Sequence, residues 1–244
     1  MNRLDQALVE RGLCESRERA KRLILAGQVR VNAQTAHKPS DQVKPGDELG
    51  VVAPEQYVSR GGYKLEHALK EFQLDVTGLT VVDLGASTGG FTDCVLQRGA
   101  AKVYAVDVGQ GQLSWKLRQD PRVVVMEKTN ARYLQPGQFS VPAHLAVIDC
   151  SFISLRKILP PAVPLLAAPG NIVALIKPQF EAGKAEVDKG CGVITDEAVH
   201  RRVIAELAEF VRTQAGLYWR AVVESPLLGP AGNKEFLVLI EKKR

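Results

Sequence analysis

A chain of 244 residues has room for a medium-sized domain and a small companion, and 45% hydrophobic against 24% charged content supports an ordinary buried core. The net charge of +5 tilts the partner mildly toward polyanions. Cys14, Cys94, Cys150 and Cys191 form no CxxC pair and the four histidines no HxH or HxxxH pair, so metal catalysis has no visible ligand set. Scattered single thiols fit a reducing, cytoplasmic compartment, and Met1-Asn2-Arg3-Leu4-Asp5, with charges recurring every few residues, is no signal peptide.

Leu4, Ala7, Leu8 and Gly12 outline a short helix and its stop. Ser16 reads as the N-cap of a second, carried by Ala20, Leu23 and Ile24 and ended by Gly27. Alternating Val29 and Val31 predict a strand, and Pro45-Gly46 marks a turn into another. In order, Arg3-Leu4-Asp5, Ser16-Arg17, Ala20, Gly27 to Asn32 and Gly46-Asp47 resemble the S4 RNA-binding domain. The resemblance implies a small α+β domain over residues 1–53, with a basic face for RNA at Arg3, Arg11, Arg17, Arg19, Lys21, Arg22 and Arg30. Such cations neutralise phosphates and release counterions, which gives affinity with little sequence information. Charge alone reads as a solvated helix face, because Glu10, Glu15 and Glu18 lie among the arginines.

Residues 54–62 are expected to be a linker, whose Gly61-Gly62 pair allows backbone conformations closed to other residues. A helix is predicted from Tyr63 to Phe72, with Leu65, Ala68, Leu69 and Phe72 on one face. Lys64 lies in its first turn, where the helix dipole disfavours a cation; taken alone it reads as a surface lysine.

From Thr80 onward, short apolar runs alternate with helical patterns: Thr80–Leu84, Val103–Val106, Val123–Met126, Leu145–Ile148 and Ile172–Ile176. That rhythm predicts a parallel sheet covered by helices, including one over Ala198–Val211. The apolar stretch Ile158–Ile176 is long enough to suggest a membrane span, yet it holds Pro160, Pro161, Pro164, Pro169 and Gly170. A spanning helix of about 20 residues does not tolerate that density of breakers, so a short helix, a turn and a buried strand are expected. Tyr218–Val223 and Phe236–Ile240 are joined without a helix, which makes the last strand antiparallel. A mostly parallel sheet ending in such a hairpin is the Rossmann-like class I methyltransferase topology.

The glycine-rich turn Asp83-Leu84-Gly85-Ala86-Ser87-Thr88-Gly89-Gly90-Phe91-Thr92 joins strand to helix and lets backbone N–H groups approach a ligand. Asp107, closing the next strand, is placed to bind adenosine ribose hydroxyls, in NAD or S-adenosylmethionine enzymes alike. The spacing of Gly85, Gly89 and Gly90 departs from GxGxxG and weakens the NAD reading. Asp149, Lys177 and Glu235 all fall where strands end, or where the reversed strand begins, and should converge on one crevice.

Together, Arg60 to Leu65, Gly85 to Thr92, Asp107 to Leu113, Asp149-Cys150-Ser151-Phe152-Ile153-Ser154-Leu155 and Lys177-Pro178-Gln179-Phe180-Glu181 resemble the TlyA family over essentially the whole chain. That resemblance implies an S4 domain joined to an FtsJ-like methyltransferase domain over residues 63–244. It implies S-adenosyl-L-methionine as cofactor and 2′-O-methylation of cytidine in ribosomal RNA, within ribosomal subunits, with no stable membrane association and no metal. The tetrad it implies is Lys64, Asp149, Lys177 and Glu235. Cofactor contacts are implied at Asp83, Gly85, Ala86, Ser87, Gly89, Gly90, Phe91, Asp107, Val108, Asn130 and Asp149, with Asp83 toward the amino-acid portion. Two departures stand out: Cys191 splits Gly190 from Gly192, where adjacent glycines are usual, and Tyr57 replaces a frequent tryptophan.

A ribose hydroxyl must lose its proton as it attacks, and a lysine accepts it only when its pKa is lowered toward roughly 7–8. Lys177 is the expected base, with Lys64 orienting the hydroxyl and the two carboxylates positioning the amines. Methylation of a base amine is the rival chemistry, although Asp149-Cys150-Ser151-Phe152 lacks the paired prolines of that class. A membrane-active hemolysin, a label carried by some family members, is the non-enzymatic alternative.

Overall fold

In the computed structural model the alternating apolar runs become one seven-stranded sheet, and residues 1–52 and 55–243 are described. Ala53 and Pro54, where the expected first domain meets the linker, lie outside the described residues, as do Arg244 and the side chain of Lys189. The chain forms two units, Met1–Gln56 and Tyr57–Arg244.

The first unit contains β1 (Asn2–Arg3), α1 (Leu4–Glu10), α2 (Arg17–Leu25), β2 (Val29–Val31), β3 (Gln34–Ala36), β4 (Gln42–Val43) and β5 (Leu49–Val51). Helical spacing places Leu4, Ala7 and Leu8 of α1 against Ala20 and Ile24 of α2, and Val29, Ala36 and Val43 close this small core. Ser16 caps α2, its hydroxyl accepting from the Arg19 N–H at 3.2 Å. β2 is the centre of an antiparallel sheet between β3 and β5, while β1 pairs with β4.

The second unit opens with α3 (Gly61–Glu71) and continues through β6 (Thr80–Leu84), α4 (Gly90–Gln97), β7 (Lys102–Val106), α5 (Trp115–Arg118), β8 (Val123–Met126), β9 (Ala143–Ile148) and α6 (Leu155–Ala162). It ends with β10 (Leu166–Ile176), α7 (Pro178–Glu181), α8 (Lys184–Lys189), α9 (Glu197–Thr213), β11 (Leu217–Glu224) and β12 (Phe236–Lys242). Strand order is β11-β12-β10-β9-β6-β7-β8. β10, β9, β6, β7 and β8 are mutually parallel, and β12 runs antiparallel to both β10 and β11. Strand alternation gives the sheet two apolar faces. Val82, Leu84, Ala146, Ile148 and Ile172 pack under α6 and α9, and Val81, Leu145, Val147 and Leu175 pack under α3 and α4.

The proline-broken stretch after Ile158 resolves into the end of α6, a 3-10 turn over Val163–Leu165 and β10. Among the described residues no helix is long and apolar enough to cross a membrane.

The glycine pair departs from expectation. Gly61 and Gly62 begin α3 and neither has a positive φ, so conformational freedom does not explain them. Gly62 is required by close packing: a Cβ there would lie 2.2 Å from the buried Tyr57 ring. Gly85 does need its freedom, with φ +87°, and a Cβ would meet the Asp149 carbonyl oxygen at 2.6 Å. Gly85→Ala is therefore expected to destabilise the protein by on the order of 2–4 kcal/mol, read from urea unfolding, because strained φ and a backbone clash coincide. A loss below about 0.5 kcal/mol would mean the turn relaxes freely.

Candidate active site

The register places the chemistry. β6, β7, β9 and β10 end at Leu84, Val106, Ile148 and Ile176, and antiparallel pairing sets Phe236, the first residue of β12, opposite Ile176. Gly85, Asp107, Asp149 and Lys177, which follow their strands, and Glu235, which precedes β12, thus share one sheet edge. Two clefts open there.

Lys64, Asp149, Lys177 and Glu235 all line the smaller cleft, of about 840 Å³. Lys64 is buried, not a surface lysine: α3 turns it inward and its Nζ donates to Glu235 Oε2 at 2.5 Å. Lys177 is 9% exposed and lies 2.6 Å from Asp149 Oδ1, and its Nζ also donates to Ser151 Oγ at 2.8 Å. Each amine thus has its own carboxylate, and the Glu235 side chain is wholly enclosed. Its second oxygen, Oε1, has no hydrogen-bond partner among the described residues. Gly229 makes room for it, since a Cβ there would stand 2.5 Å from Oε1.

The larger cleft, of about 1210 Å³, is lined by Asp107, Val108 and Asn130, and it shares Gly85, Ser87, Asp149, Ser151, Phe152 and Phe180 with the smaller one. Asp107 accepts from the N–H groups of Ser87 at 2.8 Å and Gly109 at 2.7 Å, which fixes its carboxylate at the cleft wall. Asn130 caps the following 3-10 turn, accepting from the Arg132 N–H at 3.0 Å. Ala86, Gly90 and Phe91 line the smaller cleft with Gly85 and Ser87. These walls fit an adenosine carrying a cationic tail: a fixed carboxylate for ribose hydroxyls, backbone N–H groups, and Asp149 where the clefts meet. Among the described residues no group of three or more His, Cys, Asp or Glu is arranged to hold a metal ion.

Two of the expected cofactor residues lie behind the wall. Gly89, at φ +99°, is the N-cap before α4 and packs on Leu117 and Leu113. Asp83 is fully buried on the α4 face, lines neither cleft, and accepts from Thr92 Oγ1 at 2.7 Å. Burial pushes its carboxyl up to about 7; the Thr92 hydrogen bond opposes this and the Asp149 charge adds to it. An acid with a raised native pKa keeps its proton where the unfolded chain has lost it. The native state is therefore favoured below about pH 4, and the advantage fades as pH climbs to about 7. Asp83→Asn, which cannot ionise, is expected to gain Tm over the native protein progressively between those values and no further above them. A Tm difference independent of pH would mean Asp83 is ionised throughout.

In the first unit the expected RNA-contacting cations divide. Arg3 and Arg17 both pair with buried Asp5, Arg11 donates to the carbonyls of Lys44, Pro45 and Asp47, Lys21 pairs with Glu18, and Arg30 donates to Ala33 O. Arg19 and Arg22, exposed on α2, have no carboxylate partner among the described residues.

Ser151 and Phe152 belong to a motif the sequence shows, but only the structure gives them, and Asn233, a place at the site. Phe152 is 91% exposed at φ +62°, with its ring centroid 5.1 Å from that of Phe180, at the junction of the clefts. The sequence signal for it is an aromatic among polar residues just beyond a strand end, within the Asp149–Leu155 motif. Buried Asn233 accepts from the Ile194 N–H at 2.8 Å and donates to Gly192 O at 2.9 Å, pinning the loop around Cys191 beside Glu235. No spacing rule reveals that contact.

Known proteins bear on the site as a whole. The FtsJ-like methyltransferase profile matches residues 57–242 and the S4 domain profile residues 2–49. YqxC of Bacillus subtilis, provisionally named an rRNA methyltransferase, is 51% identical over 97% of this chain and 84% of its own. The 16S/23S rRNA (cytidine-2′-O)-methyltransferase TlyA of Mycobacterium tuberculosis is 46% identical over 97% of this chain and 88% of its own. A solved Streptococcus thermophilus structure, provisionally named a hemolysin, superposes with a TM-score of 0.76 at 45% identity, covering 99% of this chain and 88% of that one. With this likeness end to end, and a class I sheet whose edge gathers paired lysines and carboxylates, the chain belongs to the TlyA family, in which an S4 domain precedes an FtsJ-like methyltransferase domain.

Proposed function

We propose that this protein methylates the 2′-hydroxyl of a cytidine in ribosomal RNA with S-adenosyl-L-methionine, using Lys64, Asp149, Lys177 and Glu235. The observation that carries the reading is the pair of lysine–carboxylate contacts facing one cleft that merges with the Asp107 cleft. The relative from Mycobacterium tuberculosis, named for this reaction, supports it.

Bound S-adenosylmethionine supplies an electrophilic methyl on a sulfonium. Asp107 would hold the ribose of that cofactor, Asn130 would contribute to the wall around its adenosine, and Asp149 would offset its positive charge. Lys177 Nζ takes the proton of the attacking hydroxyl. Ser151 and Asp149 fix the direction from which Nζ approaches. Lys64, held by Glu235, orients the hydroxyl oxygen. Phe152 offers the target base an aromatic face once the nucleotide leaves its stack. Most of the acceleration comes from holding hydroxyl and methyl in line.

Labelled methyl transfer to small- and large-subunit particles, followed by nuclease digestion and mass spectrometry, tests the reading. The expected product is a 2′-O-methylated cytidine. A methyl group on a base nitrogen or carbon would replace this proposal with base methylation.

A further inference from the structure

The larger cleft carries a feature that the cofactor does not explain. Arg132, Lys157 and Lys184 all line it, all are exposed, and none has a carboxylate partner among the described residues. Elsewhere in the same unit Arg118, Arg122, Arg156, Arg201, Arg202, Arg212 and Arg220 are each ion-paired. The carboxylates on the cleft wall are already engaged, Asp107 by two backbone N–H groups and Asp149 by Lys177. Lys157 lies in the first turn of α6 and Lys184 opens α8, positions the helix dipole disfavours for a cation, so helix stability does not account for them.

S-adenosylmethionine bears a net positive charge and is repelled by three uncompensated cations; a polyanion is drawn to them. Exposed aromatic rings lie beside the cations: Phe152 in the cleft, and Tyr133, 69% exposed, whose ring centroid is 5.2 Å from the Arg132 guanidinium carbon. Cations interleaved with open aromatic faces are the physical requirement for an unpaired nucleic-acid strand, with phosphates on the charges and bases on the rings.

We infer that the methyltransferase unit has its own RNA-strand site, in which Arg132, Lys157 and Lys184 hold the phosphates flanking the target nucleotide and Tyr133 stacks a neighbouring base. This inference rests on the proposed function and names the part of the substrate that the second unit grips. The S4 unit is then not the sole source of RNA affinity, and the target enters the catalytic cleft already held on one side.

The test uses the full chain and its triple variant Arg132→Gln, Lys157→Gln, Lys184→Gln, with Arg201→Gln, Arg212→Gln on α9 and Arg220→Gln on β11 as the charge-matched control. The probe is a single-stranded oligocytidylate of about a dozen nucleotides, titrated by fluorescence across a potassium chloride series. Three lost phosphate contacts are expected to reduce the slope of log K against log salt by about 2, at about 0.7 per contact, while the control keeps the slope of the unmodified protein. The KM for ribosomal particles is expected to rise at least about tenfold with kcat nearly unchanged. Calorimetric affinity for S-adenosylmethionine should stay within about twofold. An unchanged salt slope in the triple variant overturns the inference, and so does a parallel loss of cofactor affinity, which would assign these side chains to the cofactor. If the unmodified protein methylates a base, the proposed function falls while the slope comparison still stands.

Discussion

Alanine in place of Lys177 is expected to slow methyl transfer on the order of a thousandfold, while affinity for S-adenosylmethionine changes by less than about threefold. Nζ of Lys177 is the enclosed amine that meets both Asp149 and Ser151, and no other described side chain donates to that serine. Its removal takes away the proposed proton acceptor and leaves the walls of the Asp107 cleft untouched. The loss should therefore appear in kcat, with the KM for RNA nearly constant. Lys177→Arg is expected to be as inactive as alanine, because a guanidinium does not give up its proton near neutral pH. Single-turnover transfer assays check both variants, and retained turnover in either removes Lys177 from the proton path.

The second large effect is on stability. Glu235→Ala leaves the Lys64 ammonium buried without its partner, and breaking one side of an enclosed pair costs on the order of 3–5 kcal/mol. Chemical denaturation should show that loss. The double variant Lys64→Met, Glu235→Leu should recover most of it, since apolar groups of similar volume need no charge balance. Transfer activity is expected to stay absent in the double variant. Recovery of stability without activity separates the structural part of this pair from its part in the reaction. A single variant as stable as the unmodified protein would mean that Lys64 swings out to water.

How much of this could be read beforehand depended on whether a contact is local or distant. The strands at Thr80–Leu84, Leu145–Ile148 and Ile172–Ile176 are legible because strands covered on both faces are continuous apolar runs, and the reversed last strand is legible from the helix-free connection before it. Lys64 is the opposite case. Its position in the first turn of α3 gives no hint of burial, which is decided by a carboxylate 171 residues later. Gly62 likewise looks like a hinge until Tyr57 is seen packed against it. Arg11 reads as one more cation for RNA, and only the folded turn reveals the three carbonyls it binds. Convergence of Asp149, Lys177 and Glu235 at one edge followed from strand direction; the arrival of Lys64 there, and which amine faces which carboxylate, did not.

The slot occupied by β12 has a consequence for how the molecule is made. The strand is inserted between β10 and β11 instead of being added at the rim, so during synthesis the sheet keeps two unsatisfied edges until residues 236–242 emerge. Glu235 arrives with that strand, and Lys64, made long before, must wait for it. Insertion of β12 therefore closes the backbone ladder and neutralises a buried charge in one event.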